Sequence, residues 1–381
     1  MSSSYSARFV VFALLSLPVA RGAASSIEER LAEMEARLGT LSSENAALKQ
    51  QLDSVAKKQG EPVATPAGKE KKLSIGGYIQ VQGETGDAPD SRFPVNDRIL
   101  VRRARLTVKG SFAEDIDFTF QSELGNGNMS ENKDYRGQLT DLFIRWKKFD
   151  FATVQVGQFK TPFGYEQLIP DTKNPFVERS LPSDKLTLSR QIGAMVSGDF
   201  LDERLSYSVG AFNGNKVNNG GNDNENFLTV GRVSGVPVKT KSLTVSAGAN
   251  VFTTDDAAGA SAVQREGYGL DVQFKAGRLD GAVEWLSVDS NPASGASGTA
   301  DGWAAHVGYM VLAEKLRAGL RYETYDPDTR VSDDESENWT LGLTYFLKGE
   351  DLKFSLNYVL GDPAGALSNQ GRLLAQAQVI F

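Results

Sequence analysis

The chain lacks cysteine and contains a single histidine, His306. Without cysteine it forms no disulfide, no thiolate metal site and no lipid-modified N-terminal cysteine. One histidine excludes a histidine-based metal cluster or catalytic pair within the chain, so we expect no metal site, no catalytic residue, no cofactor and no enzymatic activity. Basic residues number 41 against 48 acidic ones, and a net charge of −7 gives no support for nucleic-acid binding.

Long hydrophobic runs are also missing after residue 20, which excludes a membrane-spanning helix from that part of the sequence. Before that point Arg8 precedes an apolar segment at residues 9–19, and small residues follow at 22–24. This three-part layout predicts a secretory signal peptide over residues 1–24, and therefore an exported protein. A membrane anchor is the alternative, but the apolar segment is short for that purpose.

Apolar residues recur in alternating steps of four and three between residues 27 and 55, which is the pattern of a coiled coil. The pattern predicts an α-helical oligomerisation segment over residues 25–58, with a lone amphipathic helix as the alternative. Asn45 falls in the buried seam, where a polar residue fixes the register. The heptads leave two and three strands open. Two prolines, two glycines and several charges then predict a linker over residues 59–72.

From residue 73 to residue 381 the dominant period is two, as in Leu352, Phe354, Leu356 and Tyr358. Each alternating segment is long enough to cross a membrane as a tilted strand, and short turns alternate with long polar loops. Counting segments predicts an all-β fold, a sixteen-stranded antiparallel transmembrane β-barrel wide enough for an aqueous channel. The alternative is a soluble β-sandwich, which buries its apolar face and has shorter loops.

One connection is much longer than the rest. The alternation of residues 153–156 is broken at Pro162 and Gly164, and about thirty residues pass before it resumes at Ile192. By the strand count this segment is the third outer loop. We expect it to fold into the barrel and narrow the pore, with Phe163 and Tyr165 holding it against the wall.

If the apolar side chains of each strand face lipid, the alternate side chains line the pore. This places six basic residues in the pore wall: Arg103, Arg105, Lys109, Arg145, Arg317 and Arg321. Basic columns attract anions because the surrounding low-dielectric wall focuses their field. Alternatively these residues pair with lumen carboxylates and only brace the wall. The sequence leaves these two interpretations open.

With these residues assembled, the chain resembles the phosphate-selective porin O and P family over residues 73–381. Five segments carry the resemblance: VRRARLTVKG at 101–110, LTDLFIRW at 139–146, VGQFKTPFGYEQL at 156–168, ERSLPSD at 178–184 and RQIGAMVSG at 190–198. The resemblance implies a barrel that is usually trimeric, with a third loop that constricts the pore. Family members use wall arginines and constriction lysines to conduct anions such as phosphate.

Carried over by motif, the resemblance gives Arg103, Arg105 and Arg145 as wall positions. It gives five candidates in the constriction loop: Lys160, Lys173, Arg179, Lys185 and Arg190. The fifth outer loop, residues 254–265, departs from the family pattern because it contains no lysine.

Together these features predict an outer-membrane porin of a Gram-negative-type bacterium, with residues 25–58 in the periplasm. We expect small hydrophilic solutes, including anions such as phosphate, to diffuse passively through it. The expected partners are outer-membrane lipid, the solutes and two further copies in a homotrimer. The alternative function is a structural outer-membrane anchor with a periplasmic coiled-coil tether, although a pure anchor needs no long constriction loop.

Overall fold

The computed structural model describes residues 36, 37, 39, 40, 43, 72–125, 137–149, 151–256, 263–362 and 370–381. The chain divides into two compact units, Met1–Val63 and Ala64–Phe381. The five described residues of the first unit are helical. The predicted signal peptide, most of the coiled coil and the linker up to residue 71 lie outside the described residues, so they stay predictions. None of the described helical segments is long and apolar enough to cross a membrane.

The second unit is built from sixteen β-strands. They are β1 Leu73–Gly86, β2 Arg98–Ala113, β3 Ile116–Glu123, β4 Gln138–Phe149, β5 Ala152–Lys160, β6 Arg190–Phe200, β7 Leu205–Phe212, β8 Leu228–Lys239, β9 Leu243–Asp256, β10 Val263–Ala276, β11 Leu279–Pro292, β12 Gly298–Leu312, β13 Leu316–Asp326, β14 Ser336–Lys348, β15 Leu352–Asp362 and β16 Gln370–Ile380. Each strand pairs with its neighbours in sequence, and β1 pairs antiparallel with β16 to close the barrel. The predicted sixteen-stranded barrel is therefore confirmed.

Short turns and long loops lie at opposite ends of the barrel. Only two residues separate β10 from β11, whereas residues 161–189 separate β5 from β6. Pairing of Leu73 with Gly110 and of Tyr78 with Ile380 brings both ends of the barrel to the end that carries the short turns. An even number of strands requires this arrangement, and it leaves all the long loops at the opposite end.

The side chains that point outward are apolar, and those that point inward are polar. On β14, Leu341 and Leu343 are exposed on the outside, while Asn338, Thr340 and Thr344 are buried inside. Exposed apolar side chains on every other position form a surface suited to lipid. This reversal of the usual burial pattern excludes the soluble β-sandwich.

An aromatic belt surrounds part of the loop end. Trp303 of β12 packs edge-on against Tyr322 of β13, with ring centroids 5.1 Å apart. Tyr322 in turn lies 4.6 Å from the ring of Trp339 on β14. Aromatic side chains at this height are typical of the boundary between the hydrocarbon core and the lipid headgroups.

Candidate pore constriction

The third loop, defined as residues 161–189, turns into the barrel. It contains helix α1 at Tyr165–Leu168, a single 3₁₀ turn at Asp171–Lys173 and helix α2 at Leu181–Leu186. Ser180 caps α2, because its side chain accepts a hydrogen bond from the Ser183 N–H. Gly164, which precedes α1, has a φ of 83°, a conformation that favours glycine. The glycine and the two helices let the loop reverse direction within the lumen.

On one side the loop packs against an apolar patch of the inner wall. Phe163 is fully buried, and its ring lies edge-on to Phe252 of β9 at 4.8 Å. Phe159, Phe212 and other buried side chains from β5 to β11 complete this cluster. Burying a phenylalanine stabilises a fold by roughly 1.5–3 kcal/mol. The apolar patch therefore holds the start of the loop against the wall, as expected for Phe163.

Polar wall residues meet the backbone of the loop. The Glu284 carboxylate on β11 accepts hydrogen bonds from the N–H groups of the first two residues of α1. Asn250 accepts from the Gly164 N–H at 3.0 Å, and Asn357 accepts from the Val177 N–H at 2.7 Å. These acceptors satisfy backbone donors that are buried inside the barrel and would otherwise lack partners.

Asp171 ties the loop to the arginines of β2. Its carboxylate pairs with Arg179 at 2.6 Å, lies 3.8 Å from Arg103 and contacts Arg105 directly. Burial alone would raise its pKa, but the guanidinium groups of Arg179, Arg105 and Arg103 hold the pKa of Asp171 well below its usual range. Asp171 is therefore a charged anchor inside the barrel.

Glu178 forms a second anchor. Its carboxylate accepts from Arg102 Nε at 2.7 Å and from Arg102 Nη2 at 3.0 Å, a bidentate pair, and from Gln82 at 3.1 Å. Arg103 Nη2 lies 3.6 Å away. Burial alone would raise the pKa of Glu178, but the charges of Arg102 and Arg103 outweigh it and lower the pKa to about 2.

Arg102 was not among the predicted wall residues, because strict alternation makes it face outward beside Arg103. In the pairing of β1 with β2, Gln80 lies opposite Arg103 and Val81 lies opposite Val101, so Arg102 is an additional residue. This β-bulge lets two consecutive side chains enter the lumen. Both arginines are buried there.

A small cavity lies between the third loop and strand β2, and we call it the arginine cavity. Its volume is about 210 Å³. The charged residues that line it are six arginines and three carboxylates: Arg92, Arg102, Arg103, Arg105, Arg179 and Arg190, with Asp171, Glu178 and Asp184. Two more carboxylates, Glu123 and Asp141, pair with Arg105 and Arg190 at 2.7 and 2.9 Å. Arginines outnumber carboxylates among the residues that line the cavity, but most of these arginines are paired with carboxylates.

Four of the predicted site residues lie together in the arginine cavity, and the others lie outside it. The structure brings Arg103, Arg105, Arg179 and Arg190 together in the arginine cavity. Arg92, which also lines it, belongs to the first loop and was not predicted, since nothing in its local sequence shows that this loop turns inward.

The three lysines predicted for the constriction lie elsewhere, and Lys160 is the last residue of β5. Lys160 donates to the carbonyl oxygens of Gln167 at 2.6 Å and Ile169 at 3.1 Å, so it stabilises the turn of the loop. Lys185 is exposed, with its Nζ 4.0 Å from Asp184. Lys173 is exposed and lines a separate cavity of about 450 Å³ toward the short-turn end.

The remaining predicted wall residues also lie outside the arginine cavity. Arg145 pairs with Asp117 at 2.9 Å, and Arg317 pairs with Asp280 at 2.6 Å. Lys109 is exposed.

Arg321 contacts the third loop directly. It donates to the Glu178 carbonyl at 2.9 Å, and its guanidinium lies 4.8 Å from the ring centroid of Phe176. Most of the predicted wall arginines are therefore paired or engaged with the loop.

Comparison with known proteins agrees with this architecture. The sequence profile of the family described as phosphate-selective porin O and P matches residues 75–277 and 242–380. A comparison with curated protein sequences found no match.

Solved outer-membrane channels share the fold at low sequence identity. An anion-selective porin from Comamonas acidovorans superposes with a TM-score of 0.61 at 13% identity, covering 82% of this chain and 100% of that one. The outer membrane channel DcaP of Acinetobacter baumannii gives 0.61 at 12% identity, covering 83% and 99%. OmpT of Vibrio cholerae in a trimer form gives 0.56 at 11%, covering 82% and 100%.

Proposed function

The chain belongs to the phosphate-selective porin O and P family, whose members are non-enzymatic outer-membrane channels, and from that premise we propose that small hydrophilic anions, phosphate among them, diffuse passively through its arginine cavity. The observation that carries this proposal is that six arginines and only three carboxylates line the cavity where the third loop approaches β2. Positive charge in a narrow, low-dielectric passage raises the local concentration of anions and repels cations.

Arg103 is the residue best placed to meet a passing anion. Its Nη1 donates to Gln80 at 2.9 Å, while its Nε and Nη2 lie 3.8 and 3.6 Å from the oxygens of Asp171 and Glu178. Those separations exceed hydrogen-bonding distance, so these donors retain capacity for a solute oxygen. Arg102, by contrast, is engaged by Glu178 through both its Nε and its Nη2.

Pairing of the arginines with carboxylates limits the preference of the passage for anions over cations. Each arginine that is matched by a carboxylate contributes a dipole rather than a full charge to the field in the passage. We therefore expect a moderate preference for anions over cations, carried mainly by the incompletely paired Arg103.

Reversal potentials in a potassium chloride gradient test the proposal. The purified full-length protein in a planar lipid bilayer should favour chloride, and Arg103→Gln should reduce that preference. Arg330→Gln removes the same charge from an exposed outer loop and should leave the preference unchanged. A cation preference in the wild type would refute anion conduction, and a folded protein without channel steps would favour the structural anchor.

We also propose a homotrimer assembled through a coiled coil of residues 25–58 in the periplasm. The heptad pattern and the family's usual trimeric state support this proposal. The trimer form of OmpT from Vibrio cholerae, a protein of the same fold, is consistent with it.

A further inference from the structure

The first loop, defined as residues 87–97, also lies inside the barrel. Asp90, Arg92 and Phe93 near its tip are each about 95% buried. An outer loop of a channel normally meets water, and isolated charges are seldom buried to this degree. The tip must therefore have specific partners within the lumen.

Arg372 holds the base of this loop. It lies on β16 and is fully buried. Its Nη1 donates to the carbonyl oxygens of Gly86 at 2.9 Å and Asp87 at 3.0 Å, and its Nη2 donates to that of Asn96 at 2.9 Å. One guanidinium thus joins the two ends of the loop and directs the loop inward.

Arg92 holds the tip. Its Nη2 pairs with Asp90 at 2.6 Å in the same loop and also contacts Glu323 of β13. Its Nη1 donates to the carbonyl oxygen of Arg179 in the third loop. Asn338 of β14 donates to Asp90 at 2.9 Å. A single buried side chain therefore connects the first loop, the third loop and the barrel wall.

Apolar contacts fill the space beside this connection. Phe93 forms a buried cluster with Val177 of the third loop, Val359 of β15 and Leu374 of β16. Ions do not cross a well-packed apolar contact, because dehydration is too costly there. The first and third loops consequently meet through a packed apolar contact on this side of the lumen.

We propose that the first loop is a second constriction element, held in place by Arg92. The loop closes the lumen along β13–β16 and confines solutes to the arginine cavity. The proposal rests on the proposed porin function and adds the route that solutes take through it. Arg92 has two roles in it, since it locks the loop and lines one edge of the cavity.

Single-channel conductance of the full-length protein in planar bilayers tests the lock. Arg92→Gln should raise the conductance step by about twofold, because a second path opens beside the first. Arg92→Lys keeps the charge but cannot bridge acceptors as a planar guanidinium does, so it should raise conductance as well. Phe93→Ala loosens the same contact without leaving a buried carboxylate unpaired.

Arg330→Gln is the matched control. Arg330 donates to Asp328 at 2.8 and 2.6 Å, and Arg92 donates to Asp90 at 2.9 and 2.6 Å, so each pair occupies the same Asp-x-Arg turn. The Arg330 pair is exposed on an outer loop. Its removal should leave conductance at the wild-type value.

Wild-type conductance in folded Arg92→Lys and Phe93→Ala proteins would overturn the proposal. A change in the reversal potential of Arg92→Gln without a change in conductance would also overturn it. Arg92 would then affect only the charge of the passage and would not hold the loop in place. A cation preference of the wild type would refute the proposed anion conduction and leave this test intact, since conductance reports open area for either sign of ion.

Discussion

Replacing Glu178 by glutamine should release the middle of the third loop. The substitution keeps the shape of the side chain and removes the charge that pairs with Arg102. The pKa of Glu178 is lowered from an ordinary value of 4.5 to about 2. A difference of that size corresponds to about 3 kcal/mol of folding free energy. Removing one partner of a buried ion pair typically costs about 3–5 kcal/mol, so the two arguments agree.

The pH dependence of this contribution has a definite sign. The carboxyl has a lower pKa in the folded protein than in the unfolded chain, so it stabilises the fold wherever it is ionised in both states. The difference in unfolding free energy between wild type and Glu178→Gln should be complete above about pH 5. It should decrease as the pH falls from 4.5 through about 2.

The assay is equilibrium unfolding of the full-length protein in detergent micelles, followed by tryptophan fluorescence. Asp184→Asn is the matched control, because Asp184 lines the same cavity from the same loop but is exposed. Its effect should stay within about 0.5 kcal/mol. Equal stability of Glu178→Gln and Asp184→Asn, or a difference independent of pH down to 2, would refute the anchoring role of Glu178.

Three further changes test other parts of the structure. Phe163→Ala should lower the unfolding free energy by about 3–5 kcal/mol, because it empties a buried aromatic site, whereas Phe227→Ala on the exposed surface should have little effect. Gly157→Ala should prevent the barrel from folding, because Gly157 has a φ of 134° and a Cβ there would collide with the β4 backbone. A gel-shift assay of folding checks this, with Gly220→Ala, which has open space around it, as the control. Deleting residues 25–58 should convert trimers to monomers in light scattering, and trimers that persist would contradict assembly through the coiled coil.

The barrel could be predicted from the sequence because each strand meets two different solvents. Lipid requires apolar side chains on one face and the pore accepts polar ones on the other, so a period of two marks most of the strands. The third loop was also evident, since Pro162 and Gly164 interrupt that period and the segment is too long for a simple connection. These signals are local, and no tertiary contact is needed to find them.

The constriction itself could be predicted only in part. Arg102 enters the lumen because of a bulge, and a bulge depends on how two strands pair rather than on either strand alone. The first loop turns inward because Glu323 and Arg372 receive it, and both are more than 200 residues away in sequence. Distant residues of this kind decide whether an arginine is free or paired. The number of arginines therefore does not by itself determine the electric field in the pore.

Under the proposed anion conduction, the contacts that fasten the third loop also weaken the field that attracts anions. Asp171 and Glu178 hold the loop against β2, and each cancels a positive charge in the arginine cavity. A variant that loses either carboxylate should therefore become more anion-selective and less stable at the same time. Arg103 avoids this conflict, because its position between the two carboxylates orients it while leaving donors beyond hydrogen-bonding distance of both. The proposed anion preference then depends mainly on the unused hydrogen-bond donors of Arg103, while the charges of its neighbours serve mainly to hold the loop in place.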